Sequence, residues 1–365
     1  MPARWVYYIS CHGYGHAQRC AHVVREFARR WPDVQVDIRT TAAGFIFQDL
    51  GERVSYEHVE IDRGVIEDSS VQLNWPKTFE NLRGLIEAKD QIVRTEAAIL
   101  RDTSPQLILA DIPWLAGYVA EAAGIPCYAQ GNFTWDWIYE PYLSESPDGQ
   151  AMLDVITGGY QRMSGWLRLP FPHEHRHLKV LAELPLVDTP AMLPPSAVLE
   201  RLGIDSADAR PRVYLAMRGG ISPEALTHAV TEDTGLVYLC SPPASGSLPA
   251  GAITVPADLR FWDVLSVCDL AISKLGHGIV TDTIAHRVRL LWPPRNGFRE
   301  DPMLAAGAQQ YCPNAELPLE DFLAGRWAGH VRSLLHTPLP QTRHPAAGAA
   351  VVADWVARQL RLISL

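Results

Sequence analysis

The sequence predicts an α/β chain of two similar halves, each a parallel sheet flanked by helices. Short apolar runs alternate with segments of helical period from residue 5 to about residue 130. The alternation lapses between Leu169 and Pro195, where Pro170, Pro172, Pro185, Pro190, Pro194 and Pro195 give a linker composition. It then restarts and runs to the last helix. Strand–helix alternation of this kind indicates parallel sheets with right-handed crossovers. A length of 365 residues, 47% of them hydrophobic, suffices for two cores at about 100–200 residues per domain.

The elements follow in order. Trp5–Ile9 reads as a strand, and Ala17–Arg30 places Ala17, Cys20, Ala21, Val24, Phe27 and Ala28 on one helical face. Val34–Ile38 is the next strand, Phe79–Leu100 a long amphipathic helix, Leu107–Ala110 a strand, Trp114–Ala123 a helix and Pro126–Gln130 a strand. In the second half, Arg212–Met217, Leu236–Cys240, Leu270–Ser273 and Val288–Trp292 are strands. Pro223–Thr231, Asp258–Val267 and Ile279–His286 are the helices between them. Ala346–Leu360 closes the chain as an amphipathic helix. The expected domains are 1–190 and 191–345, with residues 346–365 a terminal helix able to pack back on the first domain.

The formal net charge of −9 fits poorly with a phosphate backbone, so nucleic acid is not an expected partner. The opening residues lack the long apolar run and cleavage site of a signal peptide, and no stretch reaches the roughly 18 apolar residues of a membrane span. Cys11, Cys20, Cys127, Cys240, Cys268 and Cys312 are scattered and read as reduced thiols, so a cytoplasmic location is expected.

Five segments carry candidate chemistry. The run from His12 through Gly13, Tyr14, Gly15 and His16 to Arg19 follows the first strand and opens the first helix. Glycines there allow a tight turn, and the helix start offers N–H groups and partial positive charge. His16 is placed as a general base that the helix dipole would keep neutral; a structural histidine in a glycine turn is the plainer reading. A metal reading of Cys11, His12, His16 and Cys20 lacks zinc spacing. Asp111 ends a strand, where a carboxylate either orients an imidazole or caps the next helix. Asn132, Trp135 and Asp136 lie in an aromatic segment suited to a sugar face and its hydroxyls, or to a packed aromatic corner. Lys274, Gly276, His277, Gly278 and Asp282 form a strand-to-helix turn for a diphosphate and a ribose, with Arg218, Gly219 and Gly220 as a partner loop. Glu300 and Asp301 are paired carboxylates after a later strand; a solvated charged loop is the plainer reading. His173, His175 and His177 read as surface residues.

At Cys11–Arg19, Asn132–Tyr139, Ile272–Asp282 and Phe298–Pro302 the chain resembles the glycosyltransferase-like amino-terminal region of plant L-arabinokinases and their bacterial relatives. More distantly it is similar to GT-B glycosyltransferases that use UDP- or dTDP-sugars. The resemblance implies two Rossmann-like domains facing each other across a cleft. It implies His16 as base, Asp111 as its orienting acid, and Gly276 and Gly278 at the donor diphosphate. Asp282 takes the place of a ribose-binding glutamate, one carbon shorter, and Glu300 with Asp301 grip the donor sugar. His12, Gly13, Arg19, Asn132, Trp135 and Asp136 are expected on the acceptor side. The implied activity is inverting transfer of a sugar from a nucleoside-diphosphate donor to a hydroxyl of a small molecule or glycan. With no Asp-x-Asp element, neither a cofactor nor a metal is expected to be required. The Gly-His-x-x-Arg pattern at Gly15–Arg19 is also similar to GT-B nucleotide-sugar hydrolases, so hydrolysis stands as an alternative, as does a non-catalytic nucleotide-sugar-binding protein.

Overall fold

The computed structural model describes residues 3–144, 146–217, 221–241 and 248–364. The chain divides into two compact units. The first comprises Met1–Ile66, Asn74–Val187 and Pro345–Leu365; the second comprises Glu67–Leu73 and Asp188–His344.

In chain order the elements begin β1 (Arg4–Ile9), α1 (Gly13–Arg30), β2 (Gln35–Thr40), β3 (Val54–His58), β4 (Glu67–Ser69), β5 (Gln72–Leu73), α2 (Trp75–Thr103), β6 (Leu107–Asp111), α3 (Leu115–Ala123), β7 (Cys127–Gly131), α4 (Trp135–Leu143), α5 (Gly149–Gln161), β8 (Gly165–Arg168) and β9 (Val180–Glu183). They continue α6 (Pro195–Leu202), β10 (Arg212–Leu215), α7 (Pro223–Glu232), β11 (Val237–Cys240), β12 (Ala252–Thr254), α8 (Phe261–Leu265), β13 (Leu270–Ile272), α9 (His277–His286), β14 (Arg289–Trp292), α10 (Glu300–Ala308), β15 (Asn314–Glu316), α11 (Leu319–Ala324), α12 (Ala328–His336) and α13 (Gly348–Gln359).

Among the described residues the first unit has one seven-stranded sheet, ordered β3-β2-β1-β6-β7-β8-β9. The second has a six-stranded sheet, ordered β12-β11-β10-β13-β14-β15. All these pairings are parallel. Each sheet reverses its direction of growth beside its first strand. Loops after the two strands at that point diverge and leave room for a ligand at the carboxyl edge. In the first unit these are β1 and β6, with Ile9 opposite Asp111. In the second they are β10 and β13, with Leu215 opposite Ile272.

The helix α1 forms because His16, Ala17, Cys20, Val23, Val24 and Phe27 recur at helical spacing and bury one face, while Arg29 and Arg30 in its last turn complement the helix dipole. The α13 residues Val352, Ala353, Val356 and Ala357 share that core with α1, and Arg30 binds Asp354 at 2.5 Å. Gly348 starts α13 where a Cβ would lie 2.6 Å from the Pro185 carbonyl oxygen, so only glycine fits.

The proline-rich stretch is not a linker throughout. It contains β9, the edge strand of the first sheet, and the chain passes to the second unit at Asp188. The hairpin β4–β5 belongs to the second unit although its sequence interrupts the first; Val71 at its tip joins that unit's core. Among the described residues no helix is long and apolar enough to cross a membrane.

Candidate active site

In the first unit, Gly13 opens α1 with φ +66°, a conformation that side chains resist, and His12 precedes it as the N-cap residue. The turn delivers His16 to the carboxyl edge of β1, beside the end of β6. His16 Nδ1 lies 2.6 Å from Asp111 Oδ1. Arg19 grips the same carboxylate with two donors, Nε to Oδ2 at 2.6 Å and Nη2 to Oδ1 at 2.5 Å. Cys20 Sγ donates to Oδ2 at 3.2 Å, and Gln130, whose Oε1 accepts from the Tyr7 hydroxyl, donates through Nε2 to Oδ2 at 3.4 Å. Asp111 is fully buried, which alone would raise its pKa. Arg19 and His16 outweigh that and hold the carboxyl well below the usual range, so it stays ionised.

The short contact to an ionised carboxylate assigns the proton of neutral His16 to Nδ1, although Arg19 Nη2 also approaches that atom at 2.8 Å. The Nε2 lone pair is then available to accept a proton. Burial, and after it the charge of Arg19, pull the His16 pKa below 6.5 against the opposing pull of Asp111. His12 has the opposite tautomer: its Nδ1 accepts from the Val65 N–H at 3.3 Å, which leaves Nε2 protonated in the neutral ring. His12 can donate a hydrogen bond through Nε2, whereas His16 can take a proton there.

The strand end that carries Asp111 is strained. Ile112, β-branched and fully buried, sits at φ +60°. The Tyr160 hydroxyl holds its carbonyl at 2.8 Å, and Gly131 makes room, since a Cβ there would lie 2.4 Å from Ile112 Cγ2. Asp111 caps no helix: the N-cap residue of α3 is Trp114.

The expected acceptor residues are mostly in the interior. Trp135 is fully buried, donates Nε1–H to Asp62 Oδ2 at 2.6 Å, stacks on Tyr139 and meets His12 edge-on. It offers no face to a sugar and belongs to a packed aromatic corner. Asn132 is fully buried as well. Asp136 receives the Thr157 hydroxyl at 3.1 Å and His175 Nε2 at 3.2 Å. Arg19 is committed to Asp111 through two donors. His173 and the side chain of His175 are buried, and only His177 is exposed, because Thr134 and Asp136 bind the first two rings from the start of α4.

Sequence reasoning missed Asp62. It is buried, accepts from Gly64 N–H and Trp135, and burial raises its carboxyl to about 6. It shapes the turn at Gly64, where φ is +59° and a Cβ would lie 2.6 Å from His12 Cβ. Also missed was an exposed aromatic pair beside the α1 turn: Tyr14, 42% exposed, and Phe45, 56% exposed, have ring centroids 6.3 Å apart.

In the second unit, Ala216 N–H bonds Ile272 O and Ser273 Oγ donates to Ala216 O at 2.9 Å, tying together the loops that follow β10 and β13. Arg218, Gly219 and Gly220 lie outside the described residues. Gly276 is the N-cap residue of α9 in extended conformation, and a Cβ there would meet nothing within 4 Å. His277 and Gly278 form the first turn, so the α9 amide donors face the carboxyl edge of the sheet. Lys274 contacts Glu67 of the β4–β5 hairpin at 2.6 and 2.5 Å; burial lowers its pKa despite that partner.

Glu300 and Asp301 are not a solvated pair. Both are buried at the start of α10, and Asp301 binds Arg295, whose guanidinium lies 3.8 Å above the Phe298 ring. Asp282 faces Trp262, Asp188 and the Thr189 backbone, and burial pushes its carboxyl up to about 8. Among the described residues no group of three or more His, Cys, Asp or Glu is arranged to hold a metal ion.

No family model matches this chain. It is 25% identical to L-arabinokinase of Arabidopsis thaliana over 331 residues, which are 90% of this chain and 32% of that protein. The chain thus spans about a third of the length of that relative. Its fold matches Arabidopsis thaliana UGT89C1, solved with quercetin, at a TM-score of 0.67 and 13% identity, covering 99% of this chain and 100% of that one. It matches Phytolacca americana UGT2, solved with UDP-2fluoro-glucose and pterostilbene, at 0.63 and 15% identity, covering 98% and 94%. The chain has the GT-B glycosyltransferase fold and is a distant relative of L-arabinokinase.

Proposed function

We propose that this chain is a metal-independent, inverting glycosyltransferase that moves a sugar from a nucleoside-diphosphate donor to an acceptor hydroxyl. The observation that carries the reading is the His16–Asp111 pair: an imidazole fixed through Nδ1 by a buried, ionised carboxylate, with no described residue bonded to its Nε2. The acceptor O–H gives its proton to His16 Nε2 while the oxygen forms a bond to the anomeric carbon. The bond from that carbon to the diphosphate oxygen breaks, and the diphosphate leaves with the electron pair. Asp111 stabilises the imidazolium as it forms. The amide donors of α9 and the charge of Lys274 receive the negative charge that develops on the leaving group. The apolar face of a small-molecule acceptor fits Tyr14 and Phe45, which are exposed, better than the buried Trp135.

The test is to incubate the purified chain with UDP-, dTDP- and GDP-sugars, with and without phenolic and sugar acceptors, and to measure released nucleoside diphosphate. Release that depends on both donor and acceptor is expected. Release without acceptor would move the reading to hydrolysis, and donor binding with no release under any acceptor would leave a nucleotide-sugar-binding protein.

A further inference from the structure

We infer that Glu67 sets donor affinity: its carboxylate occupies the seat on Lys274 that the donor diphosphate takes, so that nucleotide binding is an exchange of one anion for another. The inference rests on the proposed donor site and adds to it a competitor built into the chain.

Glu67 is not a mobile surface carboxylate. The hairpin β4–β5 that carries it is anchored at its tip by Val71, which is 5% exposed within the core of the second unit. Its far end is clamped by Asn296, whose Oδ1 accepts from Leu73 N–H at 2.6 Å and whose Nδ2 donates to Leu73 O at 3.1 Å. Asn296 lies in the loop after β14, next to Arg295. The hairpin is thus fixed to the carboxyl edge of the second sheet, and Glu67 is fixed against Lys274.

The local charge is balanced against a free anion. Among the described residues, the ion pairs here join Glu67, Glu300 and Asp301, three formal negative charges, to Lys274 and Arg295, two positive ones. Arg295 is buried and committed to Asp301, so it is not open to exchange. The Lys274–Glu67 pair is the accessible one, with side chains 30% and 24% exposed. Ion pairs with that much solvent contact are weak enough to exchange. A diphosphate brings more charge than one carboxylate and also meets the amide donors of α9, which begins three residues beyond Lys274. It displaces Glu67, and the affinity observed is what remains after that displacement.

The experiment is calorimetric titration of the full chain with UDP, dTDP, GDP, ADP and inorganic pyrophosphate, comparing wild type, Glu67→Gln, Lys274→Met and the double variant. Glu67→Gln should bind the preferred diphosphate about two- to fivefold more tightly, the reach of a partly exposed ion pair. Lys274→Met should bind it more weakly, and Glu67→Gln should give no gain in the Lys274→Met background, because the two side chains act as a pair. Glu67→Asp, which keeps the charge and shortens the reach, should give a smaller gain and serves if the glutamine variant fails to fold. Unchanged or weaker binding in Glu67→Gln, or a gain that persists without Lys274, overturns the inference. If no probe binds wild type, or Lys274→Met binds as well as wild type, the donor-site reading itself fails and the inference goes with it. Loss on Lys274→Met with no gain on Glu67→Gln refutes the role of Glu67 alone.

Discussion

The two sheets share a strand order and place their chemistry at the same topological point, yet they treat charge in opposite ways. At the first, the charged groups are sealed together: Asp111 is fully buried and receives Arg19, His16, Cys20 and Gln130. At the second, Lys274 is held by a partly exposed carboxylate, Glu67, from a hairpin remote in sequence. In the proposed reading His16 is a base, which must keep one orientation and one tautomer through every turnover, and a sealed network supplies that. A site for a ligand that comes and goes needs charge that can change partners. The same fold serves both because the loops, and not the strands, carry the difference.

The sharpest way to break this contrast is to remove the base. His16→Ala should lower turnover by about two to four orders of magnitude. Donor affinity should stay within about twofold, because the diphosphate is assigned to the second unit. Asp111→Asn should lose much of the rate, and the double variant should be little worse than His16→Ala, since the pair acts as one unit. Steady-state kinetics with separate donor titrations distinguish the cases. If His12→Ala removes turnover and His16→Ala does not, the tautomer assignment is wrong, since His12 Nδ1 is occupied by the Val65 N–H.

Arg19 sharpens the comparison because it tests whether the sealed network tunes the base or only packs it. Its charge lowers the His16 pKa, second to burial. In the proposed mechanism the active form is the neutral imidazole, so the rate should fall as pH drops through that lowered value, below 6.5. Arg19→Gln removes the charge and should move the acidic inflection of the rate upward by about one pH unit. Arg19→Lys keeps the charge but loses the two-pronged grip, and should lower turnover with a smaller displacement of the inflection. An inflection unmoved in a folded Arg19→Gln variant would reduce Arg19 to packing.

What the sequence disclosed depends on how local each feature is. The β1–α1 turn was legible because strand, glycines and helix start are contiguous, and the end of β6 was legible because Asp111 closes an apolar run. Arg19 was legible as a residue of the site, and its partner was legible too, since it stands three residues from His16 on the face that α1 buries. Trp135 misled because aromatics beside polar groups look alike in a sugar site and in a packed corner, and only tertiary packing separates them. Asp62 has no local pattern. Glu67 lies on a strand of three residues, and its partner is 207 positions away. The edge strand β9 was hidden by the prolines around it.

The smallest expected effect concerns Asp282, the position where the resemblance places a ribose-binding acid. Burial raises this carboxyl from 3.8 to about 8, so the folded protein holds a proton there that the unfolded chain has released above pH 4. The unfolded state therefore binds fewer protons between those values, and this group makes stability fall as pH rises from about 4 to about 8. Asparagine mimics the protonated carboxyl and has no proton to lose. Asp282→Asn should melt with wild type near pH 4 and above it by a margin that grows toward pH 8, measured by calorimetry. At pH 7 the nucleotide affinity of the variant should stay within about threefold of wild type, since a neutral group replaces a neutral one. An affinity loss of tenfold or more, with no pH-dependent gain in melting temperature, would show instead that the carboxyl is ionised in the folded chain and accepts a hydroxyl of the nucleotide.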